Sequence, residues 1–279
     1  MRKSLRCYMN WLALDGMEAF ADGPLAAIQR AGYDGVQLIE PLDHANAEAA
    51  QAMGLGVCGS GRVNAPEDAG RLAAEAKRAG LECLTLHVGW GLEDDAEAHR
   101  LIEAVLEASG KHGLPLYAET HRATIFQDMW RTAQFLRRYP QLEFNGDFSH
   151  WYAGSEMVYG GFERKMEFIA PVLERVRFVH GRIANPGCMQ VDVGDGDARQ
   201  HPYAGHFRQL WTAAFAGFLR DAGSRQEFIC FAPELLAAPI YYARMFDGRE
   251  ESDRWAQSLV LAGIARECFA AAEDALGEA

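Results

Sequence analysis

No stretch of the 279-residue chain reaches the ~18 uncharged apolar residues expected of a membrane span. Arg2 and Lys3 stand near the N-terminus, but no apolar run follows that would serve as a signal peptide. The expectation is a soluble, cytoplasmic protein. No CxxC pair occurs. The six cysteines (Cys7, Cys58, Cys83, Cys188, Cys230 and Cys268) are scattered, most of them inside apolar runs or the last helical stretch. They read as reduced core residues rather than disulfides or a zinc knuckle. Basic charge is in short supply: 27 Lys and Arg against 39 Asp and Glu give a net charge of −12. That excludes a backbone-tracking nucleic-acid binder, which needs a basic surface to displace counterions, but not an enzyme acting on a small molecule. No linker rich in Pro, Gly or Ser divides the chain, so residues 1–279 are read as one domain. The length suits an α/β barrel, which runs roughly 200–250 residues as a single unit.

What the chain does have is one unit repeated. Strand-like runs stand at 5–12, 35–40, 55–63, 83–90, 114–121, 142–150, 177–183 and 227–235. Helical patterns fall near 17–31, 45–53, 66–80, 94–112, 127–139, 161–175, 206–222 and 251–274, several of them ending in Gly. Strands that each precede a helix imply parallel βαβ units, and eight such units close into a (β/α)₈ TIM barrel. The rival, an open dinucleotide-binding sheet, finds a GxGxxG match at Gly54, Gly56 and Gly59. That motif needs its glycines to open a helix after a strand. Here Gly54 ends a helix and the other two lie within a strand, so they are read as small residues that ease strand packing. The longest irregular segment, 183–205, has the length of a lid or binding loop. Its Asp192, Asp195 and Asp197 lack the distal Glu of an EF-hand and are read as solvated loop acids.

In a barrel of this kind the C-terminal strand ends form the active-site face. That is where ionisable residues gather: His87 on strand four, Glu119 and His121 on strand five, Asp147 and His150 on strand six, His180 and Arg182 on strand seven, and Glu234 on strand eight. Residues two apart on a strand share a face, so Glu119 pairs with His121 and His180 with Arg182. Charged groups in a water-poor barrel mouth need partners or a metal. Glu119, Asp147, His180 and Glu234 together are read as ligands of one divalent ion. Three carboxylates and one imidazole favour Mn²⁺, Mg²⁺ or Co²⁺, with Zn²⁺ and Fe²⁺ as alternatives. Taken singly, Glu119 or Glu234 could instead cap a helix or pair with an Arg such as Arg122, Asp147 could be a turn residue, and His87 a core histidine. His99, His112, His201 and His206 are set aside. Trp11, Trp90, Trp151 and Tyr152 read mainly as core or rim, with Trp11 and Trp90 as candidates for stacking on a ligand.

Glu119, the D-x-x-H of Asp147 and His150, the H-x-R of His180 and Arg182, and Glu234 together resemble the xylose-isomerase-like TIM barrels, with the ketose 3-epimerases as the best motif match. The resemblance covers essentially the whole chain. It implies a metal held by Glu119, Asp147, His180 and Glu234. It also implies an acid/base role for Glu119 and Glu234 on opposite faces of a sugar, sugar phosphate or related polyhydroxy carbonyl compound, through a metal-stabilised enediolate. His150 and Arg182 match substrate-contacting positions, and His87 is expected beside them. The multi-metal DNA-repair endonuclease branch is disfavoured by the acidic charge. The 3-dehydroshikimate dehydratases also carry E-T-H at the end of strand five, as Glu119-Thr120-His121 do here. This makes His121 a base in an alternative dehydratase reading. The apolar last helix (Trp255, Leu259, Val260, Ile264, Phe269) fits barrel packing first and an interface between copies second.

Overall fold

A computed structural model describes residues 3–17, 20–197, 199, 202–223 and 226–277; His201 lies outside them. Eight parallel strands form a closed barrel: β1 (Ser4–Asn10), β2 (Gly35–Ile39), β3 (Gly56–Val63), β4 (Leu84–Val88), β5 (Leu116–Glu119), β6 (Phe144–Asn145), β7 (Val176–His180) and β8 (Phe228–Ala232). Each pairs with its sequence neighbours, and β8 returns to β1 through Ser4 opposite Phe228 and Cys7 opposite Phe231. The outer ring is α1 (Pro24–Arg30), α2 (His44–Ala52), α3 (Pro66–Arg78), α4 (Asp95–His112), α5 (Met129–Arg138), α6 (Phe148–Gly154), α7 (Phe162–Leu173), α8 (Pro202–Arg220) and α9 (Arg254–Gly277). The molecule is thus a single-domain (β/α)₈ barrel. Among the described residues no helix is long and apolar enough to cross a membrane.

The strand period of two sorts side chains into two cores. Residues such as Val36, Leu38, Leu116 and Ala118 face outward, into the large apolar layer beneath the helices. Tyr8, Cys58, Cys83, Tyr117, Phe178, Cys230 and Ala232 fill the lumen. Cys58, Cys83 and Cys230 are buried free thiols. The same inward faces continue upward as Asn10, Gln37, Thr85, Glu119, Asn145 and His180, all buried. The lumen therefore runs from apolar at its floor to ionisable at its mouth, and α/β closure aims that polar end at one point.

Packing explains two glycines of the GxGxxG match, and backbone conformation explains the third. Gly54 takes φ 78° at the end of α2. A Cβ on Gly56 would stand 2.4 Å from the Tyr8 hydroxyl, and one on Gly59 would stand 2.6 Å from Leu84 Cδ2.

Four boundaries differ from the sequence reading. β1 stops at Asn10, whose side chain accepts from the Leu12 N–H and turns the chain into a 3-10 turn over Trp11–Leu14. The helix read over 17–31 starts only at Pro24, preceded by Gly23 at φ 83°. The sixth strand is two residues long rather than nine, because Asp147 accepts from the Ser149 N–H and caps α6. His150 therefore sits on a helix, not on a strand end. The segment read as a loop to residue 205 gives way to α8 at Pro202. Its earlier part is tied down rather than free: the Gln190 amide makes two hydrogen bonds to the Leu236 backbone, and the Val193 N–H donates to Gln257 Oε1.

Candidate active site

Glu119 ends β5 fully buried. Its Oε2 accepts from Asn145 Nδ2 at 3.0 Å and lies 3.3 Å from His180 Nδ1. Its Oε1 lies 3.4 Å from His87 Nε2 and has no hydrogen-bond partner. Asp147, at the start of α6, splits its oxygens. Oδ1 accepts from the Ser149 N–H and hydroxyl, while Oδ2 meets Arg182 Nη2 at 2.5 Å and His150 Nε2 at 3.3 Å. Glu234, two residues beyond β8, is the most open of the acids at 8% exposure. Its Oε1 lies 3.4 Å from His180 Nδ1 and its Oε2 3.0 Å from Arg182 Nη1.

His180 is aimed by a polar layer behind it. Asn10 Nδ2 donates to Gln37 Oε1 at 2.8 Å, and Gln37 Nε2 donates to Thr85 Oγ1 at 3.0 Å. Gln37 Oε1 and Nε2 both lie 3.0 Å from His180 Nε2, which holds the ring with Nδ1 turned toward the carboxylates. Nδ1 is buried without a hydrogen-bond partner. The Asn145 side chain fixes two members together, donating to Glu119 and accepting from the His180 backbone N–H at 3.1 Å. An oriented imidazole with its second nitrogen hydrogen-bonded is the arrangement metal-binding histidines require.

One ligand atom from each of Glu119, Asp147, His180 and Glu234 lies within 4.8 Å of the others. Three carboxylates here face one guanidinium, Arg182, and all are buried. Burying surplus anions is costly without a compensating cation. The orphaned Glu119 Oε1 and His180 Nδ1, together with the oxygen-rich donor set, fit a hard or borderline divalent ion. The electrostatics agree. Burial pushes the Glu119 carboxyl up, but the neighbouring His180 and, after it, His87 outweigh burial and hold it well below the usual range. Burial raises Asp147 as well, and Arg182 and His150 overcome that to keep it ionised. At Glu234 burial wins over His180 and Arg182, and its carboxyl is raised. Burial lowers His180, but Glu234 and Glu119 carry it up to about 9.

Beside the cluster three imidazoles form a row. The rings of His87 and His121 are 4.1 Å apart, and those of His121 and His150 are 3.8 Å apart. His121 directs Nδ1 at the Arg122 carbonyl. Burial, reinforced by the charge of His150, holds it neutral, its pKa lowered to about 2. A cleft of about 490 Å³ lined by Arg122, Gln127, His150 and Pro186 opens at this side. Trp11 and Trp90 line two other clefts, each of about 560 Å³ and neither reaching the four acids and imidazoles. Trp151 and Tyr152 are fully buried core.

Sequence reasoning missed Asn10, Gln37, Thr85 and Asn145, although a lone amide inside the apolar run GVQLI was a usable signal. It also missed Tyr242, whose ring lies 4.7 Å from the Arg182 guanidinium carbon and 5.2 Å from that of Arg122. Nothing local marks that residue.

The barrel is similar in fold to several solved structures, xylose isomerase-like barrels among them. An L-ribulose 3-epimerase structure shares 13% identity at TM-score 0.61, over 99% of this chain and 97% of the other. A xylose isomerase-like barrel protein from Mycobacterium smegmatis in complex with magnesium shares 14% at TM-score 0.57, over 96% and 98%. A probable 3-DHS dehydratase from Bacillus anthracis shares 13% at TM-score 0.54, over 94% and 97%. No family model and no curated protein sequence matches the chain.

Proposed function

We propose that this protein is a divalent-metal-dependent isomerase or epimerase of a small polyhydroxy carbonyl compound, a sugar or sugar phosphate. The observation that carries this reading is the convergence of Glu119, Asp147, His180 and Glu234 within 4.8 Å at the barrel mouth. Those four residues would hold the ion, Mn²⁺ foremost. When bound, it would polarise the substrate carbonyl as a Lewis acid and make the adjacent C–H more acidic. The protein's own groups divide the remaining work. Glu234, more open and with a raised pKa, suits a carboxylate that takes up and returns a proton at the neighbouring carbon. Glu119, held ionised, is the second carboxylate of the acid/base pair. Arg182 ties Asp147 to Glu234 and, with His150, offers donors to substrate oxygens. The working site is cytoplasmic and uses no nucleic acid.

A second reading, dehydration of a cyclic hydroxy-ketone acid, has its own support in His121. Its Nδ1 is occupied by the Arg122 carbonyl, and its Nε2 is left free on a neutral ring. The tautomer is that of a general base, but the low pKa makes the ring a weak one, which ranks this reading second.

The test is a panel of ketoses, ketose phosphates and hydroxy-keto acids, assayed after chelation and after return of Mn²⁺. Metal-dependent epimer formation that is lost in Glu234→Gln supports the first reading. Release of water from a keto acid that is lost in His121→Ala supports the second. Turnover indifferent to chelation overturns both.

A further inference from the structure

Arg62 lies one residue from the end of β3, and its guanidinium is held on three sides. Nη1 donates to the Gly89 carbonyl at 2.7 Å, Nη2 lies 3.2 Å from His87 Nδ1, and the group stacks 3.9 Å from the Trp90 ring. Among the described residues no carboxylate lies within ion-pair distance of it, although the surrounding chain is strongly acidic. A guanidinium has only donors. His87 Nδ1 therefore accepts, and the proton of the neutral ring resides on Nε2. That nitrogen lies 3.4 Å from Glu119 Oε1, the buried oxygen with no other partner.

We propose that Arg62 is a positioning residue for Glu119, acting through His87 by fixing which imidazole nitrogen carries the proton. Two consequences follow from the geometry. Glu119 becomes two-faced: Oε1, which makes no hydrogen bond, faces the His87 Nε2–H at 3.4 Å, and Oε2 lies beside His180 Nδ1. The trio of His87, Glu119 and His121, whose potential ligand atoms also lie within 4.8 Å of one another, is then not a second metal site. A ring nitrogen that carries a proton has no lone pair to give. Trp90 enters the same device, because its indole face keeps the guanidinium plane against His87 rather than swung to solvent.

The inference rests on the acid/base reading of Glu119, but its primary test does not need activity. Histidine side-chain ¹⁵N NMR of the full-length, metal-free chain, with His87 assigned by its loss in His87→Gln, reports the tautomer directly. The expected result is an Nε2–H tautomer in the parent protein that is lost in Arg62→Met and kept in Arg62→Lys, which restores a pure donor. Calorimetric titration should give one Mn²⁺ per chain. Arg62→Met should lower kcat by ~10- to 100-fold, the range seen when outer hydrogen-bond partners of metal ligands are removed, with KM nearly unchanged. A parent His87 carrying its proton on Nδ1, a tautomer indifferent to Arg62→Met, or two Mn²⁺ per chain falling to one in His87→Gln would each overturn it. If the tautomer behaves as expected but no substrate turns over, the positioning stands and the functional reading falls.

Discussion

Arg182 Nη2 lies 2.5 Å from Asp147 Oδ2, with neither side chain exposed. This contact holds a helix N-cap against a residue two positions beyond β7, and it neutralises one of three clustered carboxylates. Removing one member of such a buried pair strands the other charge, at a cost of roughly 3–5 kcal/mol. Arg182→Met should lower the stability of the metal-free protein by about that amount in urea unfolding. The double variant Arg182→Met/Asp147→Leu should recover most of the loss.

Gln37 acts on His180 from behind. Gln37→Leu keeps the lumen filled but leaves His180 Nε2 without its partner and Asn10 Nδ2 without its acceptor. Mn²⁺ affinity measured by calorimetry should fall by ~10- to 100-fold, with the circular dichroism spectrum unchanged. An unaltered affinity would mean that the polar layer serves the barrel and not the ion.

His180 makes the metal-free protein pH-sensitive. Its folded pKa, carried up to about 9 by Glu234 and Glu119 against the lowering effect of burial, lies above the ordinary 6.5. Its contribution to stability is therefore fully present below about pH 6.5 and is lost as pH rises through about 9. A cation at Nδ1 must displace that proton. Mn²⁺ binding should release protons in this window, read as a calorimetric enthalpy that varies with buffer ionisation heat, and affinity should climb with pH and level off above about 9.

Gly56 tests the packing account of the glycine motif. An added Cβ would stand 2.4 Å from the Tyr8 hydroxyl and 2.5 Å from Glu82 Oε2. Gly56→Ala should destabilise by about 1–3 kcal/mol in thermal or urea unfolding, the usual range for overpacking. Mn²⁺ affinity should not change, since the clash lies at the lumen floor.

Much of this was legible in local pattern. Eight strand–helix units, the inward pairing of Tyr117 with Glu119, and the gathering of ionisable groups at strand ends all follow from periodicities that a chain carries without its fold. The amino-acid sequence by itself determined the barrel and which end of it is polar, because side-chain facing is set by the strand period and cap chemistry. Asp147 and His150 show the limit. The sequence put them in their region but not on a helix, because a two-residue strand followed by an N-cap looks locally like a longer strand. Only the tertiary structure decided which groups meet: Gln37 behind His180, Arg62 behind His87, Tyr242 over Arg182. Each of those pairs joins different elements, 25 residues or more apart in the chain. Barrel closure, a property of all eight strands at once, sets their separation, and no local window of sequence contains it.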